Sequence, residues 1–169
     1  MEQNSDKINN IQEKINSILK KNKIKILIFI AILVIIIFSS FLFNENKKKN
    51  NALISEKYFK ATIFLIEDKK FEAKNNLEEV ILSKNKIYSL LALNTILEKN
   101  LESDSNKILS YFNLLEKLNF SQNTKDLIIF KKALFLIKIN DPKAGNEILS
   151  NLIEKNSSLK SLAQEVKNN

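Results

Sequence analysis

Few side chains in this chain could do chemistry, and their types exclude most reactions. Histidine and cysteine are absent. Acyl transfer through a Ser–His or Cys–His pair is therefore excluded, as are ordinary zinc sites and disulfides. A single glycine rules out a phosphate-cradling loop or a dinucleotide fingerprint, which need several at fixed spacing. Adjacent Glu78 and Glu79 could share acid–base work only if they converged. Neighbours on a helix point about 100° apart, so this pair reads as a solvated face. These absences predict a protein that is not an enzyme and takes no cofactor, no metal and no small-molecule substrate.

What remains is the chemistry of recognition. The three tyrosines are Tyr58, Tyr88 and Tyr111. A tyrosine ring buries apolar area while its hydroxyl keeps a hydrogen bond, which suits a binding surface. Tyr58 and Thr62 fall on one expected helix, Tyr88 and Ser89 on another. These four residues are the candidates for a partner groove. The competing reading is packing, with each hydroxyl left at the rim.

Every one of the 27 positive charges is a lysine, and the formal net charge is +8. Beyond residue 43 there are 21 Lys against 16 acids, and they are interspersed. Nucleic-acid binding needs a clustered basic surface, so it is not expected. Lys47, Lys48 and Lys49 form the one dense run, and its simplest role is contact with lipid headgroups.

That run closes the most conspicuous element. Ile26–Phe43 is eighteen residues without a charge, interrupted only by Ser39 and Ser40. A helix of this length is about 27 Å long, close to the hydrocarbon thickness of a bilayer. A core helix of this length would carry a polar face. A cleaved signal peptide would have a shorter apolar region and a small-residue cleavage site. The reading is a retained transmembrane helix, with Lys23 and Lys25 on one flank and Lys47–Lys49 on the other. Six lysines precede the span (7, 14, 20, 21, 23 and 25) and five closely follow it (47, 48, 49, 57 and 60). The positive-inside rule therefore barely favours an inside N-terminus. Ahead of the span, Ile8, Ile11, Ile15, Ile18 and Leu19 make one apolar stripe on an amphipathic arm, 1–25.

After a polar linker at 44–50, near-absence of Gly and Pro argues for helices throughout. Helices are expected at 51–67, 70–83, 86–99, 104–118, 124–139, 142–155 and 157–167. Phe59, Ile63 and Ile66 mark the apolar spacing of the first, and Ile128, Phe135 and Ile139 that of the fifth. Asp141–Pro142 is a helix start, because Asp caps and Pro suits the first helical position. A slide of 71 residues superimposes Phe59 on Phe130, Phe64–Ile66 on Phe135–Ile137, and Ala73 on Ala144. "ILSKN" at 81–85 also finds "LLEKLN" at 114–119. Half of 71 approaches the period of paired-helix repeats. The expected fold is all-α: one transmembrane helix, then a tetratricopeptide-like α-solenoid at 51–169 of about three hairpins and a capping helix. Small residues Ala61, Ala73, Ala92, Ala133 and Ala144 suit its close helix contacts.

From Asp6 to Lys167 the chain resembles the bacterial family of ancillary SecYEG translocon subunits, tetratricopeptide-like proteins of the inner membrane. "KYFKATIFLIEDKKFEAKNNLEEVI" after the span and "NDPKAGNEILSNLI" near the end carry the likeness. The resemblance implies a cytoplasmic N-terminus, a single-pass anchor in the inner membrane and a helical domain in the periplasm. It also implies protein partners: translocon subunits, emerging chains and periplasmic chaperones. A scaffold or assembly subunit of another envelope complex, in division or respiration, is the alternative.

Overall fold

In a computed structural model the described residues are 22–168, with side chains at 26, 30, 31, 40, 41, 43 and 44 outside that description. The amphipathic arm therefore lies outside the described residues, apart from its last few positions. The described chain is helical, with α1 (Lys23–Ile66), α2 (Lys70–Leu82), α3 (Lys86–Glu98), α4 (Ser105–Glu116), α5 (Gln122–Lys138), α6 (Pro142–Glu154) and α7 (Lys160–Asn168). Two compact units meet between Asn50 and Asn51, so α1 contributes residues to both.

In the first unit apolar side chains such as Ile24, Phe29, Ile35 and Ile37 stand exposed along α1. Lys23, Lys25 and Lys47–Lys49 are exposed as well. Among the described residues no helix is long and apolar enough to cross a membrane. The run at 26–43 is covered by that description only in part.

The second unit is a series of antiparallel helical hairpins, each helix packed on its chain neighbours. Side-chain caps start the helices: Asn85 accepts from the amides of Ile87 and Tyr88, Asp104 from Asn106 and Lys107, and Ser121 from Thr124. Asp141 accepts from Ala144 N with Pro142 in the first turn, as the sequence predicts. Left-handed residues end five helices: Asp68, Lys84, Asn100, Asn140 and Asn156, with φ between 48° and 64°. Asn and Asp tolerate this region because their short side chains bond locally. At Asn100 the paired bonds Asn100 N→Leu97 O and Leu101 N→Ile96 O close a Schellman motif. The same pair recurs at Asn140 and Asn156. In this chain Asn does the work usually left to glycine.

Burial gives the repeat its register. Ile54, Ser89 and Asp126 occupy equivalent positions, followed by Tyr58, Leu93 and Phe130, then Ala61, Ile96 and Ala133. In the second helix of each hairpin the sets are Ala73, Ile108 and Gly145, then Leu77, Phe112 and Leu149, then Val80, Leu115 and Leu152. All are buried except half-buried Tyr58. The steps are 35 and 37 residues, so the first and third hairpins are offset by 72 rather than the 71 that residue identities suggest. The one-residue error puts exposed Phe59 on buried Phe130 and buried Ala73 on half-buried Ala144. Identity matches in a chain rich in Ile and Lys do not see which face is covered.

The same error affects the first helix. Its core face is Ile54, Tyr58 and Ala61, while Phe59, Ile63 and Ile66 are 57%, 53% and 86% exposed. The helix is apolar on two faces, so helical spacing alone could not choose between them. The last helix begins at Lys160 rather than 157, because Ser157 is held outside it. Its hydroxyl donates to the Asp126 carboxylate at 2.5 Å and accepts from Leu159 N.

Ala61, Ala73, Ala133 and Gly145 are small buried residues of the hairpins, and at Ala133 and Gly145 the two helices approach closely. Gly145 leaves no room for a side chain: a Cβ there would lie 2.8 Å from the Ala133 carbonyl oxygen and 2.6 Å from Ile137 Cγ1.

Candidate partner groove

Two first helices, the 51–66 part of α1 and α3, lie side by side and share a face. On α3, Tyr88, Leu91, Thr95 and Glu98 follow helical spacing along it; on α1, Ser55, Tyr58, Thr62 and Leu65 do the same. The Tyr58 and Tyr88 rings meet with centroids 5.8 Å apart. Tyr88 Oη pairs with Ser55 Oγ at 2.7 Å, and Tyr58 Oη lies 3.4 Å from Thr95 Oγ1. Beyond the tyrosines the face opens into a cleft of about 610 Å³, lined by Thr62, Leu65, Ile66, Lys70, Thr95, Glu98 and Lys99.

Of the four candidate residues, the structure brings Tyr58, Thr62 and Tyr88 to this face. The two tyrosines are half-buried with their hydroxyls paired across the helices, so their first role is joining α1 to α3. Thr62 lines the cleft, and its hydroxyl donates to Phe59 O at 2.6 Å, leaving its lone pairs to the cleft. Ser89 is a correction. It is fully buried, its hydroxyl donating to Val80 O and Ile81 O at 2.9 and 3.1 Å. It staples the start of α3 to the end of α2 and faces no partner. Thr95, Leu65 and Ile66 were missed, although Thr95 sits two turns beyond Tyr88 on the same stripe.

The cleft offers apolar walls, hydroxyl acceptors and a rim of mixed charge. None of its side chains forms a nucleophile–base pair.

Tyr111 has a different role. It is in the core, and its phenol is pushed up to about 12 by burial, with Glu78 adding to the shift. Near it Glu102, from the α3–α4 corner, reaches Lys74 of α2 at 2.8 Å and Lys107 of α4 at 3.3 Å. Lys107 also meets Glu78 at 2.5 Å. The Glu102 side chain is 5% exposed, and its other oxygen accepts from the amides of Ser103 and Asp104. Contact with Lys74, then the Asp104 amide, holds its carboxyl down at about 2. The Lys107 ammonium is raised in turn, chiefly by Glu78. This cluster ties the first hairpin to the second behind the groove.

No family model matches the chain, and neither the curated proteins nor the solved structures hold a match.

Proposed function

We propose that this chain is a non-catalytic, membrane-anchored adaptor whose tetratricopeptide-like hairpins grip a segment of another polypeptide. The apolar run at 26–43 is its single transmembrane anchor. The hairpin unit stands in the periplasm, beside the exit of the translocon, and passes emerging chains to chaperones. The observation that carries the reading is the cleft between α1 and α3. It is continuous at Ile66 with the uncovered stripe Phe59, Ile63 and Ile66. An exposed apolar stripe beside a cleft supports a protein contact there. Anchoring supports the same reading. It raises the effective concentration of the groove at the membrane, so weak contacts suffice. The apolar side chains that stand exposed along α1 in the first unit suit lipid.

The test is a photo-crosslinking amino acid at Thr62, with the same probe at Asn113 as control, in intact cells. The expected result is adducts from Thr62 to translocon subunits, emerging chains or periplasmic chaperones, and few from Asn113. Adducts from Thr62 only to subunits of a division or respiratory assembly would replace the translocon reading with the scaffold one. Absence of any protein adduct at Thr62 would overturn the groove itself.

A further inference from the structure

The corners of the hairpin unit are sorted by charge. Because successive helices are antiparallel, the α2–α3, α4–α5 and α6–α7 corners share one end, and the α1–α2, α3–α4 and α5–α6 corners share the other. Contacts fix this assignment. Asn85 Nδ2 donates to Asn51 Oδ1, bringing the α2–α3 corner to the start of the unit, and Ser157 bonds Asp126 near the start of α5. At the opposite end Lys138 reaches Asn100.

Count each corner from the residue after a helix through the first turn of the next. The first end then holds Lys84, Lys86, Lys117, Lys125, Lys155 and Lys160 and no acid within those bounds, with Glu116, Asp126 and Glu154 each one residue outside them. The other end holds five lysines against six acids: Glu67, Asp68, Glu72, Glu102, Asp104 and Asp141. Three of those lysines are paired locally, as Lys69–Glu67, Lys70–Asp68 and Lys107–Glu102, and among the described residues Lys99 and Lys143 are not. The six lysines of the first end make no ion pair among the described residues.

The three basic corners adjoin one another. Lys84 and Lys117 line one cleft, and Gln122 and Lys155 line the next, together with Asp126, which is buried and bonded to Gln122 and Ser157. Large apolar side chains stand among them: Leu82 is 59% exposed, Ile87 69% and Leu53 51%. We infer that this end of the hairpin unit is a docking face for an anionic membrane surface, with lysines on the headgroups and Leu82 and Ile87 in the interface.

Charge complementarity selects the occupant. Unpaired lysines spread over three corners match a diffuse sheet of negative charge, where each adds a comparable increment. Recognition of a defined acidic motif favours the planar, two-pronged guanidinium, and this chain has no arginine. Exposed aliphatic groups between the lysines suit the headgroup–acyl boundary. The inference deepens the membrane-anchored reading, but the charge pattern does not require the span.

The experiment reconstitutes the full chain in vesicles of phosphatidylcholine alone or with one-third phosphatidylglycerol. Acetylation of each lysine by a water-soluble reagent is followed by mass spectrometry. The six corner lysines should react at least threefold more slowly in the anionic vesicles, and 0.5 M salt should remove that protection. Lys69, Lys99 and Lys143 at the other end should be unchanged. The triple variant K86E/K117E/K155E should lose the protection at Lys84, Lys125 and Lys160. Equal rates in both vesicle types would overturn the inference, as would slowing that is the same at both ends. Alkaline extraction of the same vesicles reads the span separately. Protein released by alkali yet protected at its corners would sink the anchor and keep the docking face.

Discussion

At the scale of single residues, two positions hold more than their size suggests. Gly145 is the chain's one glycine, and it stands at a close approach of α5 and α6. A methyl group there meets the Ala133 carbonyl oxygen, which is backbone and cannot swing aside. Gly145→Ala should cost about 1–3 kcal/mol by overpacking, even though alanine favours helices. Urea denaturation measures it, and a variant as stable as the parent would contradict the close contact. Glu102 is the second. Its carboxyl lies at about 2 in the folded chain against an ordinary 4.5. A folded-state value below the unfolded one means stability that is complete above about pH 5.5 and is lost as pH falls from about 4.5 to 2. Lys107 is 38% exposed, so water screens part of the interaction and the contribution is on the order of 2 kcal/mol. Glu102→Gln should be less stable than the parent by that amount at pH 7, and the gap should narrow towards pH 3. A gap independent of pH would remove the ion contacts as its cause.

At the scale of elements, the helices from α2 onwards were legible and their faces only partly so, whereas α1 runs unbroken from Lys23 to Ile66 through the linker expected at 44–50. Caps and corners are local chemistry: Asp141–Pro142 marks its helix start from sequence, and the Asn-rich corners end helices where expected. The covered face is a tertiary property. In α1 the stripes Phe59–Ile63–Ile66 and Ile54–Tyr58–Ala61 both have helical spacing, and only packing on α2 and α3 decides which is core. Thus Ile63→Asn should change stability by less than about 0.5 kcal/mol, whereas Ile54→Asn, which buries an amide, should cost several times more. Thermal melts compare them, and equal losses would contradict the assigned faces. The corner at Lys84 carries a different kind of cost. A lysine at φ 58° holds its Cβ against the following carbonyl. Lys84→Gly should therefore stabilise the chain by about 0.5–1 kcal/mol, and Lys84→Ala should not. No gain with glycine would show the corner to be unstrained.

At the scale of the whole molecule, what the sequence lacks was the clearest guide. Without His, Cys or a glycine-rich loop, the composition turns the expectation towards recognition, and the structure places a cleft between α1 and α3. The face shared by α1 and α3 was legible in Tyr58, Thr62 and Tyr88, which aromatic and hydroxyl types single out, although only Thr62 lines the cleft and the tyrosines join the two helices. It was not legible in Ser89, whose small polar side chain looks the same whether it caps a neighbouring helix or faces a partner. The Glu102 cluster was hidden because its members come from α2, α4 and a corner, with no spacing to link them. The account's central claim is that a bilayer-spanning segment holds these hairpins at a membrane, outside the cytoplasm. Alkaline extraction of membranes carrying the full chain, with a reporter fused after residue 169 that is active only outside the cytoplasm, tests it most directly. The account predicts an active reporter on protein that stays with the alkali-washed pellet. Full-length protein in the alkaline supernatant, or a silent reporter on intact fusion, would contradict it.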